Sequence, residues 1–151
     1  MSHEVYLSLG SNQGDREQLL NRAIRLIGER VGVVTRQSSF LETEPWGFQS
    51  DHKFLNAAVC CITNKTPREV LLLTQQIERD LGKTKAHATK RNLLPQPSAL
   101  IYHDRPIDID ILLYDDWKVD EPDLKIPHPL MYQRDFVMIP LKEIMTKDTN
   151  P

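Results

Sequence analysis

Apolar residues along this chain recur with two periods. Val5-Tyr6-Leu7-Ser8-Leu9 alternates apolar with mixed positions, which predicts a first β-strand. Gly10-Ser11-Asn12-Gln13-Gly14-Asp15 follows as a turn, and Asp15 with Gln18 three residues on resembles a helix cap. Leu19, Leu20, Ala23, Ile24, Ile27 and Val31 then share one helical face, predicting a helix to about Arg30. Gly32 to Glu42 reads as a second strand, and Phe54 to Thr63 as a nearly continuous apolar strand interrupted by Asn56. Thr66-Pro67-Arg68-Glu69 is a strong helix start, with a capping Thr, Pro at the first helical position and Glu at the third. Val70, Leu71, Leu73, Thr74, Ile77 and Leu81 carry the buried face of that helix, and Gly82 stops it.

The most regular alternation is Arg105-Pro106-Ile107-Asp108-Ile109-Asp110-Ile111-Leu112-Leu113. On a strand Asp108 and Asp110 point the same way, their Cα atoms roughly 6.6 Å apart. At a partly buried site two such charges repel by about 3 kcal/mol at an effective dielectric near 20. A hard divalent cation turns that repulsion into attraction, and Mg²⁺ is usually held by one or two carboxylates plus substrate phosphates. Taken alone, the stretch is equally a half-exposed strand with a wet acidic face.

Three further regions carry candidate chemistry. The loop from Thr43 to Lys53 contains Trp46 and Phe48, which either close over the core or form the lip of a pocket for a flat ligand. Residues 83–104 form the least regular part of the chain and carry Lys83, Lys85, His87, Lys90 and Arg91, with Arg105 at the far end. A connection of that length is a functional lid or a disordered segment, and the cations favour a lid that meets phosphate over a solvated basic loop. Ile126-Pro127-His128-Pro129 holds His128 between two prolines in a stiff, extended presentation, with Arg134 close behind. The chain closes on an apolar segment, Val137 to Leu141.

The element order β-α-β-β-α-loop-β predicts an α+β fold, a ferredoxin-like antiparallel sheet with both helices on one face and the other face left for a site. A length of 151 residues suits one domain, 1–151. No apolar run approaches the ~20 residues of a membrane span, and no secretory signal precedes the first strand, so the cytoplasm is the expected location. Cys60 and Cys61 are adjacent on a strand and should face opposite sides of the sheet as packing residues. The formal charge of −2 disfavours a general nucleic-acid binder. Any anionic ligand must then be held by local cations or metal.

Gly10-Ser11-Asn12, Phe54-Leu55-Asn56-Ala57-Ala58-Val59, Arg105-x-x-Asp108-Ile109-Asp110-Ile111-Leu112 and Pro127-His128-Pro129 occur in that order. As a set, across roughly residues 4–144, they resemble the 6-hydroxymethyl-7,8-dihydropterin pyrophosphokinase family. The resemblance implies transfer of diphosphate from ATP to the hydroxymethyl group of the pterin, releasing AMP, in folate biosynthesis. It implies two Mg²⁺ ions at Asp108 and Asp110, with Arg105 and His128 also in the catalytic set. Arg105, His128 and Arg134 would contact phosphates, and Gln75, Glu78, Lys83, Lys85 and Ile111 would complete the ATP side. Thr43, Trp46, Phe54, Asn56 and Phe136 would bind the pterin, with the two phenylalanine rings sandwiching the heterocycle. Tyr102 would take the place of a lid Trp that many members carry. The partners implied are ATP and the pterin, with no nucleic acid, membrane or partner protein, and the chain is expected to be a monomer. An idle pterin-binding module on the same fold is the alternative from another class.

Overall fold

A computed structural model of the chain describes residues 2–12, 14–43, 53–82 and 106–145. The central strand is β1 (His3–Ser11), which pairs antiparallel with β4 (Phe54–Thr63) on one side and with β5 (Asp108–Tyr114) on the other. Beyond β4 lie β2 (Val33–Gln37) and β3 (Leu41–Thr43), both antiparallel to it, so the sheet runs β2-β4-β1-β5 with β3 beside the start of β4. A separate hairpin, β6 (Val119–Glu121) and β7 (Leu124–Ile126), follows β5. The order agrees with the ferredoxin-like expectation.

Helices α1 (Arg16–Arg30) and α2 (Pro67–Leu81) cover one face of the sheet. Their ends are set by the predicted caps. Asp15 accepts from the Gln18 N–H at 3.1 Å. Thr66 and Glu69 form a reciprocal capping box, each side chain accepting the other's backbone N–H. Leu20, Ala23, Ile24 and Ile27 of α1 and Val70 and Ile77 of α2 pack on Val5, Leu7, Leu9, Val59, Cys61, Ile109 and Ile111. Fully burying each such aliphatic side chain is worth about 1.5–3 kcal/mol. Arg30 on α1 and Asp80 on α2 close the outer edge of the helix pair at 2.6 Å.

Two sequence expectations change. The strand from Gly32 to Glu42 is broken, because Ser38 interrupts it with its own side chain: the Ser38 hydroxyl, not a backbone carbonyl, accepts the Ala58 N–H. The Ser39 N–H turns away from the sheet to Glu143. The apolar segment near the C-terminus is a third helix, α3 (Asp135–Ile144), with Pro140 inside it. Its Val137, Met138, Leu141 and Ile144 pack on Tyr6, Ala58, Cys60 and Leu112, so the face opposite α1 and α2 is partly covered. Cys60 and Cys61 do point to opposite faces, both buried and unpaired by any disulfide, and burial pushes the Cys61 thiol up to about 12. Among the described residues, no helix is long and apolar enough to cross a membrane.

Two glycines close together in sequence predict opposite outcomes. Gly28 lies inside α1, where an added Cβ meets only Val34 Cγ2 at 3.9 Å. Gly28→Ala should stabilise the protein by roughly 0.5–1 kcal/mol. At Gly32 an added Cβ collides with the Ile62 carbonyl group, 2.8 Å from its carbon. Gly32→Ala should destabilise by about 1–3 kcal/mol or more, and urea denaturation of the two variants checks both signs.

Candidate active site

The strand alternation sorts the residues of the site. Tyr6, Ser8 and Gly10 of β1 share the face that α3 partly covers, as do Asn56, Ala58 and Cys60 of β4. On β5, Asp108, Asp110 and Leu112 point to that face, while Ile109 and Ile111 point into the helix-side core. The ladders then align two rows across the sheet. One runs Leu41, Asn56, Gly10, Asp108, and the next runs Ala58, Ser8, Asp110. Asn56 and Asp108 are therefore two interstrand spacings apart, roughly 10 Å. Among the described strand positions, those between the amide and the carboxylates are small: Gly10, Ser8 and Ala58.

The end of this face holding Asn56 is built by β3 and β4. Thr43 pairs with Phe54 and Leu41 with Asn56. Asn56 Nδ2 donates to Thr43 Oγ1 at 2.7 Å and to the Leu41 carbonyl at 3.2 Å. Its Oδ1 lies over Gly10, where an added Cβ would stand 3.2 Å from it and 3.7 Å from Phe54 Cδ1. A side chain there would crowd the Asn56 amide, so glycine serves close approach and not an unusual backbone angle. Phe136, in the first turn of α3, packs against the cluster beneath that helix. The Arg134 guanidinium carbon sits 5.7 Å from the centre of the Phe136 ring, within cation–π range.

At the other end β5 carries a bulge. Tyr6 pairs with Leu113 and Leu7 with Ile111, which leaves Leu112 as the extra residue. The Leu112 carbonyl accepts the His128 N–H at 3.0 Å, so the Pro-His-Pro segment docks where the bulge sets it. The half-buried His128 ring accepts the Leu130 N–H at Nδ1, at 3.2 Å. That places the proton of the neutral ring on Nε2. Burial, first, and the neighbouring Arg134 lower the pKa of His128, against an opposing pull from Asp108. His128, Arg134 and Asp108 thus feel one another's charge. A neutral His128 presents an N–H donor to an anion and no cation.

Glu78 is buried on α2 and reaches β5, where its Oε2 accepts the Ile109 N–H at 2.8 Å. That bond fixes the strand between its two carboxylates. Gln75 is exposed on the same helix, and the Ile111 side chain is in the core, so only the backbone of Ile111 is left to meet a ligand. Trp46, Lys83, Lys85, Tyr102, Arg105 and the lid segment 83–104 lie outside the described residues. The small floor at Ser8, Gly10 and Ala58 escaped the sequence reading, although the polar or small residues alternating with Leu7 and Leu9 carried its signal. Among the described residues, no group of three or more His, Cys, Asp and Glu side chains is placed to hold a metal. An ion at Asp108 and Asp110 would have hard carboxylate oxygens and would complete its shell with water or phosphate, a donor set that suits Mg²⁺.

The fold and this face define a ferredoxin-like α+β domain with two carboxylates on one strand and an amide beside a phenylalanine two strands away. Similarity to known proteins identifies its family. The family model described as 7,8-dihydro-6-hydroxymethylpterin-pyrophosphokinase (HPPK) matches residues 6–146. A 2-amino-4-hydroxy-6-hydroxymethyldihydropteridine pyrophosphokinase of Porphyromonas gingivalis is 50% identical over 93% of this chain and 89% of that protein. The Bacillus subtilis protein of the same name is 41% identical over 95% of this chain and 79% of its own. Among solved structures, HPPK-DHPS in complex with substrates superposes with a TM-score of 0.69 at 13% identity, over 94% of this chain and 40% of that one. Wild-type Plasmodium falciparum HPPK-DHPS gives 0.67 at 15% identity, over 95% of this chain and 41% of that one. This chain spans about two-fifths of those solved chains, and at such identities they share the fold. The chain belongs to the 7,8-dihydro-6-hydroxymethylpterin-pyrophosphokinase family.

Losing the Glu78 carboxylate leaves a buried N–H without its acceptor, so Glu78→Ala should cost about 1–3 kcal/mol of stability. Glu78→Gln retains an acceptor oxygen and should cost clearly less. Chemical denaturation of the two variants measures the difference.

Proposed function

We propose that this chain transfers the terminal diphosphate of ATP to the hydroxymethyl group of 6-hydroxymethyl-7,8-dihydropterin, with Mg²⁺, at the face built by Asn56, Gly10, Asp108 and Asp110. The observation that carries this reading is the shared row: the amide of Asn56 and the carboxylate of Asp108 face the same way across a floor of small residues. A flat heterocycle against Phe54, with Phe136 as the second ring, would be oriented by Asn56 and Thr43. Its hydroxymethyl arm would then extend over Gly10 and Ser8 toward the acidic strand. Bound Mg²⁺ would neutralise triphosphate oxygens and polarise the phosphorus under attack.

The chain's own groups would do the rest by position and charge. The pterin hydroxyl oxygen forms a bond to the β-phosphorus as the bond to the α,β-bridging oxygen breaks, leaving the pterin diphosphate ester, AMP and a proton. His128 Nε2–H and Arg134 would donate to phosphate oxygens, the first as a neutral donor and the second as a fixed cation. Glu78 would hold the strand backbone between the two carboxylates, and Gln75 and the Ile111 backbone would border the nucleotide. Arg105, Lys83 and Lys85 are assigned to the phosphates, Trp46 to the pterin and Tyr102 to a lid on the strength of the family pattern. The length suits a single domain, 1–151, which we read as a monomer acting in the cytoplasm.

Incubation with ATP, Mg²⁺ and the pterin should yield AMP as the adenine product, detected by chromatography. ADP, or AMP whose formation does not depend on the pterin, would refute the transfer of diphosphate as a unit. Asp108→Asn and Asp110→Asn should each lower kcat on the order of 10²–10³-fold or more, the usual effect of deleting one preorganised electrostatic contact. Pterin affinity, measured by calorimetry, should change far less. Chelation with EDTA should abolish turnover and added Mg²⁺ restore it. Pterin binding with full activity in the carboxylate variants would remove Asp108 and Asp110 from the mechanism.

A further inference from the structure

We propose that Arg16 is a positioning residue for pterin binding: its guanidinium clamps the last rung between β3 and β4 and so holds Thr43 and Phe54 in place. Arg16 is the first residue of α1, where a cation opposes the helix dipole. The helix therefore does not account for its presence. Both terminal nitrogens point out of the helix and diverge. Nη1 donates to the Lys53 carbonyl at 2.8 Å, and Nη2 donates to Glu42 Oε2 at 2.7 Å. Lys53 immediately precedes β4, and Glu42 is the middle residue of β3. The terminal rung of that ladder pairs Thr43 with Phe54. The fork thus grips both strands at the point where they part.

β3 needs such a grip. It has three residues, and among the described residues it pairs with β4 alone, so it belongs to the class of short elements that open first. Asn56 pins it through the bonds of Nδ2 to Leu41 and Thr43. Arg16 pins it from the other side, through Glu42, and ties the same guanidinium to the backbone entering β4. An exposed ion pair alone contributes little. A planar fork joining two strands restricts their relative position as well, and a lysine cannot reproduce both arms. The consequence falls on Thr43 Oγ1 and the Phe54 ring, one rung away, and not on Asp108 and Asp110 across the sheet.

Because this role rests on Thr43 and Phe54 being pterin contacts, one measurement is made on the full chain without substrate. In Arg16→Met, amide hydrogen exchange followed by NMR should quicken roughly tenfold in β3 and at the start of β4, the equivalent of about 1.4 kcal/mol. Exchange along the paired stretch from Val5 to Leu7 should stay as in the wild type. In steady-state assays the KM for the pterin should rise roughly tenfold, with kcat and the KM for ATP within about twofold. Arg16→Lys should fall between. Unchanged exchange in β3 would overturn the clamp. A fall in kcat with the pterin KM unchanged would overturn its positioning role. If the wild-type chain makes no AMP, the reading of the active site fails, while the exchange data still decide whether Arg16 holds the rung.

Discussion

β1 is hydrogen-bonded on both sides over most of its length, to β4 throughout and to β5 from Val5 to Gly10, and every distance in the candidate site is counted from it. A strand paired on both edges cannot slip by one residue without turning Leu7 and Leu9 out of the core. That constraint fixes Gly10 between Asn56 and Asp108, and Ser8 between Ala58 and Asp110. The separation of the Asn56 amide from the two carboxylates thus follows from sheet geometry and needs no flexible arm.

The face so organised is divided by size. Where β1 carries Tyr6, and its neighbours carry Cys60 and Leu112, the side chains are large and α3 packs on them. One or two rungs further on the residues are Ser8, Gly10 and Ala58. Asn56, Asp108 and Asp110 lie on the stretch where large side chains stop. The bulge at Leu112 marks that boundary on β5, and its carbonyl anchors His128 beside the acidic pair. In a chain with a net charge of −2, an anion is tolerated only where such local groups gather. Arg134 serves twice, lying against Phe136 and lowering the pKa of His128. His128, Arg134 and Phe136 are thereby linked at the start of α3.

Elements whose signals are local were legible in advance. Both caps, the faces of α1 and α2, the length of β4 and the alternation of β5 are written in neighbouring residues, and the structure reproduces them. Three features escaped because their causes lie elsewhere in the chain. The break at Ser38 exists because its hydroxyl meets Ala58, and Ser39 meets Glu143. In α3, Pro140 masks a helical spacing of Val137, Met138, Leu141 and Ile144, and the helix is stable because the sheet offers it Tyr6 and Cys60. The β6–β7 hairpin is short and is tied to α2 by ion pairs of Arg68 with Glu121 and Asp123.

By itself the sequence determined which residues share a face, because side-chain direction along a strand or helix depends only on local periodicity. From that came the α+β class, the paired carboxylates and the family. Tertiary structure alone decided which faces meet. It put Glu78 against the Ile109 N–H, turned the donors of Asn56 toward β3, aligned Gly10 with Asp108 and spread Arg16 across Glu42 and Lys53. Each of these joins residues distant in the chain. Their geometry depends on strand register and helix packing, which no local pattern encodes.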